Sequence, residues 1–238
     1  MKADNIYNFL NLALKMIVYN LRIIFANRFI WFLAGSVIFY MGLSVIYVFD
    51  QDVSNMRDLY GVFLFSGVLL VFYPTAFGIQ NDQDARTIEI LFGIPNYRYK
   101  VWLVRIVLIF IISFLIMLVF TFLSSVLIVK FQFVNMTAQV MFPVIFLGMM
   151  AFMLSTVIRN GNGTAVSMII FGLIFLILSD NLNKSQWNIF LNPYELPWDV
   201  NETTWALIAF KNRIILSIGS VIFLLIALYN LQKREKFM

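Results

Sequence analysis

The stretch from Arg105 to Lys130 reads RIVLIFIISFLIMLVFTFLSSVLIVK, and the 24 residues between its basic ends include no Asp, Glu, Lys or Arg. A helix of about 20 apolar residues crosses the hydrocarbon core of a bilayer. The apolar runs of soluble protein cores are shorter. This stretch therefore predicts a membrane-spanning helix.

Five further intervals have the same property. Charged residues are absent over 21 residues after Arg28, 23 after Asp58, 28 after Lys130, 20 after Arg159 and 19 after Arg213. The six predicted spans are residues 29–49, 59–79, 104–129, 138–158, 164–178 and 214–230, of which the fifth is short for a full crossing. We therefore predict an all-α membrane protein, with one six-helix transmembrane domain over residues 29–238.

The composition excludes several other classes of protein. Of 238 residues, 62% are hydrophobic and 12% are charged, whereas about 25% of the residues of a soluble domain are charged. Too little charge is present to cover the surface of a water-soluble globule. Because the chain has no Cys and no His, disulfides, Cys or His metal sites and histidine bases are also excluded.

The distribution of basic residues predicts the orientation. If the N-terminus is cytoplasmic, 12 of the 17 Lys and Arg residues lie inside, the inner segments sum to +7, and the outer segments sum to −2. Cytoplasmic loops of membrane proteins carry this excess of positive charge. We therefore expect a multi-pass protein of the cell membrane with both termini in the cytoplasm. The net charge of +5 indicates contact with anionic membrane lipid rather than with nucleic acid, because no basic stripe of the groove-binding kind is present.

Residues 1–28 predict a helix that lies in the cytoplasmic membrane interface. Polar residues recur at spacings of three and four among apolar ones, which is the period of an amphipathic helix. The stretch lacks the basic, apolar and small-residue regions of a signal peptide. The polar residues concerned are Asn8, Asn11, Lys15, Tyr19 and Arg22.

Two other connections have distinctive sequences. The turn Arg159-Asn160-Gly161-Asn162-Gly163 has glycines that permit positive φ angles. The predicted outer segment 179–213 contains Trp187, Trp198 and Trp205, and such aromatics are typical of the membrane–water boundary. We expect this segment to be partly helical or re-entrant, since a free loop of that length is unusual.

The residues suited to chemistry are few, and we predict no enzyme activity in this chain. No predicted span has an ionisable residue near its middle, which disfavours proton- and ion-coupled carriers. No P-loop sequence is present, so any ATP hydrolysis requires a separate chain. Asp82 and Asp84 favour a solvated charged loop, with a metal-binding pair as the alternative.

The predicted inner segment 80–100 contains a short amphipathic helix. Thr87 suits its N-cap, and Glu89 places a negative charge in its first turn. Ile88, Leu91 and Phe92 fall at i, i+3 and i+4 on one face. Gly93 and Pro95 end the helix. So short a helix needs a partner surface, either lipid or protein.

This segment resembles the permease subunits of type-2 ABC exporters. Those commonly show acidic residues, then Gly-Thr-Leu-Glu, two leucines, a proline, a Ser-Arg pair and a basic residue that opens the third span. Eight residues match this pattern in type and order: Thr87, Ile88, Glu89, Leu91, Phe92, Pro95, Arg98 and Arg105. Arg86 stands where the family has glycine, and Tyr97 where it has serine. The interfacial helix, the six spans, the turn at Arg159-Asn160 and the outer segment before the sixth span are similar as well.

The resemblance implies a function and its partners. The short helix would be the coupling helix, seated in a cleft of an ABC ATPase subunit, and those eight residues would form the ATPase-coupling site. ATP and magnesium would be bound by that ATPase, and this chain would hold no cofactor. Two permeases, identical or related, would pair with two ATPases and export a cargo. A pathway rich in apolar residues favours an amphipathic or lipid-linked cargo.

Other functions stay open on the sequence. The chain could be a membrane subunit that scaffolds or senses without translocating, and it would then use the same short helix. A secondary carrier or channel is the second alternative, and a membrane enzyme the third. Neither the cargo nor the choice between a homodimer and a heterodimer follows from the sequence.

Overall fold

The computed structural model describes residues 29–49, 56–84 and 98–232. The predicted interfacial helix at residues 1–28 lies outside these residues, as does the predicted coupling helix. Within the described residues every regular element is helical. The elements are α1 (Phe29–Phe49), α2 (Met56–Ala76), α3 (Gly78–Asp84), a π-helical turn (Arg98–Leu103), α4 (Val104–Leu127), α5 (Phe133–Ile158), α6 (Gly161–Asn181) and α7 (Glu202–Asn230).

Within the described residues, the prediction of an all-α membrane protein with six helices of spanning length is confirmed. Six helical segments of the described chain are long and apolar enough to cross a membrane, so the chain has the architecture of a multi-pass membrane protein. The first helix has its predicted bounds, and the other five differ from theirs, with consequences at two spans. The fifth helix, α6, has 21 residues and is long enough for a full crossing. The sixth, α7, begins at Glu202, twelve residues before the predicted start, because its helix continues through Lys211 and Arg213.

Side-chain contacts define two ends of the bundle. At the first, which we call the Arg105 end, Arg105 reaches Asp82, and Asn230 donates to Thr156. At the other, the Arg213 end, Arg213 reaches Tyr60. Consecutive spanning helices therefore run in opposite directions, as short connections between helices require.

Helix α5 lies at the centre of the bundle and packs against α2, α4, α6 and α7. Glycines let these helices approach closely. A Cβ added at Gly148 would lie 2.9 Å from the ring of Phe110, and one added at Gly67 would lie 2.8 Å from Val144. Small residues at such crossings are typical of membrane helices, where close packing replaces the hydrophobic effect between helices.

The turn between α5 and α6 differs from the predicted one. The positive φ angle (58°) belongs to Arg159, and none of the described glycines has one. Asn160 caps α6, with its Oδ1 accepting from the N–H of Gly163 at 3.1 Å. Gly161 is needed for a different reason, because a Cβ there would collide with Phe77 and Gln80. The turn thus brings the start of α6 against the end of the α2–α3 segment.

Candidate functional site

A buried ion pair joins α3 to α4 at the Arg105 end. The Nη1 of Arg105 donates to the Oδ2 of Asp82 at 2.8 Å, and the two residues are 3% and 5% exposed. The guanidinium also lies over the buried ring of Trp102, 4.7 Å from its centroid. Because Asp82 is near the end of the second span and Arg105 near the start of the third, this pair fixes the distance between them.

The expectation for Asp82 and Asp84 was wrong for Asp82. Asp82 lies in α3 and is buried against Arg105, rather than in a solvated loop. Asp84 is exposed and accepts from Nε2 of Gln80 at 3.5 Å. Among the residues that the structure describes, no three His, Cys, Asp or Glu side chains are grouped so as to hold a metal ion. Asp82 therefore serves as the counterion of Arg105.

The predicted coupling residues fall mostly outside the described part of the chain. Thr87, Ile88, Glu89, Leu91, Phe92 and Pro95 lie between the described ranges 56–84 and 98–232. The backbone of Arg98 begins the π-helical turn. Arg105 is the one member of the set whose side-chain contacts are described, and in sequence it follows the segment that contains most of the others. Its partner Asp82 was missed, although two opposite charges at the ends of consecutive spans were a usable signal.

A second buried cation, Arg213 in α7, is 5% exposed and connects three parts of the chain. Its Nε donates to Oε1 of Gln139 in α5 at 2.9 Å. Its Nη2 donates to the hydroxyl of Tyr60 in α2 at 3.2 Å and to the carbonyl of Leu191 at 3.3 Å. Its Nη1 donates to Oδ1 of Asn212 at 2.9 Å. The sixth helix therefore contains a buried ionisable residue that lies outside the bounds predicted for it.

All the hydrogen-bond partners of Arg213 are neutral. No carboxylate of the described residues forms an ion pair with it. The phenol of Tyr194, which lies beside Tyr60, stays protonated, because burial and the neighbouring Tyr60 raise the pKa of Tyr194 to about 12. A buried charge without a counterion is costly. Arg213 therefore has a formal positive charge that the described residues leave uncompensated.

Arg213 borders a groove between α5 and α7, which we call the Arg213 groove. Its larger part is a cavity of about 760 Å³ lined also by Asn135, Gln139 and Tyr194. A smaller part of about 230 Å³ follows along the same two helices toward Met149 and Leu224. Phe142 and Ser217 border both parts, so the groove passes from a polar end into an apolar one.

Residues 182–201 fold over the Arg213 end. Asn212, which is fully buried, donates from Nδ2 to the carbonyls of Gln186 and Asn188, at 2.8 Å each. The indole of Trp205 donates to the carbonyl of Pro193 at 3.1 Å. An ion pair between Arg57 and Glu195 links this segment to α2. Of the segment predicted at 179–213, residues 179–181 end α6, residues 182–201 form a connection, and residues 202–213 are the first turns of α7.

An exposed ion pair lies within the same connection. Nζ of Lys184 lies 2.6 Å from Oδ2 of Asp199, and this hydrogen bond lowers the pKa of the Asp199 carboxyl. Since both groups are in contact with solvent, the pair contributes little to stability. The buried bonds of Asn212 hold the connection instead.

The comparisons with known proteins found no relative: no family model matches the chain, and no curated protein or solved structure is similar enough to count as a match.

Proposed function

We propose that this chain is the transmembrane permease subunit of an ATP-driven ABC transporter of the type-2 exporter kind. It would export an amphipathic or lipid-linked cargo, with a separate ATPase subunit binding ATP and magnesium. The observation that carries the proposal is the buried pair of Asp82 and Arg105. Its two residues flank, in sequence, the segment that resembles the coupling helix of that family.

The pair suits the transmission of force into the membrane domain. A coupling helix transmits a displacement only if its two ends are fixed to the spans that must move. Asp82 and Arg105 fix the second span to the third on either side of residues 85–97. Arg105 lies within α4, which packs against the central helix α5. A movement imposed on residues 85–97 would therefore pass to the spans rather than be absorbed in a loose connection.

Alternating access in this proposal requires two permeases. A second copy of this chain, or a related chain, would face it, and two ATPases would bind their cytoplasmic coupling helices. Closure of the ATPases around ATP would change the angle between the permeases and open a route outward for the cargo. A scaffolding or sensing subunit would need the same ATPase contact but no such route.

The ATPase contact predicts a specific loss in one variant. We expect Leu91→Asp to reduce the amount of ATPase that co-purifies with the tagged full-length chain from native membranes by about tenfold. The new carboxylate would have to lose its hydration when the interface forms, which weakens binding. Asp84→Ala, an exposed acidic residue at the same end, is the matched control and should co-purify as the unaltered chain does. ATPase activity and peptide identification of the bound subunit measure the outcome. Full retention of a P-loop ATPase in the Leu91→Asp variant would contradict the proposal, as would the absence of one from the native complex.

The proposed orientation, with both termini and the Arg105 end in the cytoplasm, predicts a labelling pattern. The chain has no Cys, so single cysteines report their own positions. We expect Lys184→Cys, exposed at the Arg213 end, to react with a membrane-impermeant maleimide in intact cells. Asp84→Cys, exposed at the Arg105 end, should react only after the membrane is permeabilised. The reverse pattern would refute this orientation, and the cysteine-free parent controls for labelling of other proteins.

A further inference from the structure

The Arg213 groove has the features of a site for a charged amphiphile. Its polar end contains a buried guanidinium whose partners are all neutral. Four of the five N–H groups of that guanidinium have acceptors, and the fifth, on Nη1, has none among the described residues. Positive charge and a remaining donor favour an anion at this position.

The acidic residue that borders the groove is too far away to supply that anion. Glu202 lines the same cavity, but it lies eleven residues before Arg213 on α7, which corresponds to about 16 Å along the helix. It is also exposed at the first turn of α7. Glu202 is therefore solvated and does not neutralise the charge of Arg213.

The groove continues from Arg213 in the direction that an acyl chain would take. Ser217, Val221 and Leu224 follow Arg213 along one face of α7 and border the smaller cavity. Phe142, Ile145 and Met149 of α5 form its other wall. Leu224 lies eleven residues beyond Arg213, or about 16 Å. Inorganic phosphate would fill only the polar end and leave this apolar part empty.

We propose that the Arg213 groove binds an acidic membrane lipid, with its phosphate group against Arg213 and one acyl chain between α5 and α7. The open side of the groove carries exposed Phe210, Ile214 and Ile218, which in a spanning helix lie against lipid. A lipid can therefore enter sideways, without opening the bundle. This inference goes beyond the proposed transport function and holds whether or not an ATPase binds the chain.

The experiment measures lipid binding to the purified full-length chain by mass spectrometry of the intact complex in detergent. Dioleoylphosphatidylglycerol is titrated against zwitterionic dioleoylphosphatidylcholine. We expect phosphatidylglycerol to bind more tightly by about fivefold, the ratio that one Arg near an anionic lipid provides. Arg213→Gln should remove this preference. Lys211→Gln, an exposed cation two residues away on the same helix, is the matched control and should keep it.

A second variant tests the acyl-chain part without changing the charge. Ser217→Trp fills the place where the two cavities meet, and we expect it to weaken phosphatidylglycerol binding by about fivefold while Arg213 is retained. If Arg213→Gln does not fold, Ser217→Trp and Arg213→Lys carry the test, and Arg213→Lys should keep the preference for the acidic lipid. Circular dichroism and size-exclusion chromatography establish folding.

Four results would overturn the proposal. The first is equal binding of the two lipids by the unaltered chain. The second is loss of the preference in Lys211→Gln to the same degree as in Arg213→Gln. The third is stabilisation of the folded chain by inorganic phosphate alone, to the same extent in the unaltered chain and in Ser217→Trp. That result would indicate a site for a free anion. The fourth is efficient cross-linking of a cysteine at Phe210 to a second copy, which would show that another chain covers the groove.

Discussion

Replacing Arg105 with Met is expected to lower the free energy of unfolding by about 3–5 kcal/mol, because it breaks a buried ion pair on one side and takes the Arg105 cation away from the Asp82 carboxylate. The ion pair itself contributes little net stability, since both groups lose their hydration when they are buried. The loss of stability arises because Arg105→Met removes one partner of the ion pair and leaves the other buried. Met has a length similar to that of the Arg side chain and an apolar character, so it keeps most of the packing against Trp102.

The double variant Asp82→Leu, Arg105→Met separates charge from packing. The double variant removes the buried carboxylate together with the cation, and we expect it to recover most of the lost stability. Arg57→Met provides the matched control, because the pair of Arg57 and Glu195 has side chains 58% and 44% exposed and should contribute about 1 kcal/mol or less. Unfolding by SDS in mixed micelles measures how the free energy of unfolding changes in Arg105→Met, in the double variant and in Arg57→Met. A loss in Arg105→Met no larger than that in Arg57→Met would show that Asp82 is not held by this pair.

The same variants separate stability from the proposed coupling. The double variant should fold but should no longer tie the second span to the third by a charge-assisted bond. If the pair transmits force from residues 85–97, the double variant would keep its bound ATPase while losing cargo-dependent stimulation of ATP hydrolysis. A purely structural pair would affect neither once stability is restored.

The spans could be predicted from the sequence because charge is costly in a bilayer and its absence over 19 or more residues is a strong signal. Their ends could be predicted only in part, since the first helix has its predicted bounds and the sixth does not. The gap after Arg213 suggested that the sixth helix starts at residue 214, yet α7 begins at Glu202. Lys211 is exposed and Arg213 is buried in hydrogen bonds, so neither interrupts the helix. A charge-free interval therefore marks an apolar part of a helix and does not mark where that helix begins.

The candidate site was predictable only where its members are close in sequence. Arg105 was predicted from a local pattern of residues. The partners of Arg213 are Tyr60, 153 residues away, and Gln139, 74 residues away, and such pairings depend on how the helices pack. The signal available for Arg213 was its place between a polar Asn212 and the apolar Ile214 and Ile215. That signal indicates that Arg213 is a polar group beside an apolar stretch, but it does not identify the residues that Arg213 contacts.

The connection of residues 182–201 is expected to detach from the bundle when Asn212 is replaced with Leu. The Asn212 side chain donates to the carbonyls of Gln186 and Asn188, at 2.8 Å each, and is fully buried. Leu has a similar volume and no donor, so both carbonyls lose their partner, that of Asn188 at a buried position and that of Gln186 at a partly buried one. We expect a loss of about 2–4 kcal/mol in unfolding free energy, because each buried polar group left without a partner costs about 1–3 kcal/mol.

The location of the change distinguishes this effect from a general loss of stability. Hydrogen exchange should accelerate in residues 182–200 more than in α4 or α5, since local opening needs less free energy than global unfolding. Asn183→Leu is the matched control: Asn183 is an exposed asparagine of the same connection, and its replacement should leave exchange there unchanged.

The variant Asn212→Asp separates the donors of this side chain from its acceptor. A carboxylate keeps the acceptor for Nη1 of Arg213 and supplies the counterion that Arg213 lacks, but it cannot donate to the two carbonyls. We therefore expect Asn212→Asp to accelerate exchange in residues 182–200 much as Asn212→Leu does, even though Arg213 gains an ion pair. Normal protection of those residues in Asn212→Asp would show that Arg213, through Leu191, holds the connection, and that the two Asn212 bonds do not.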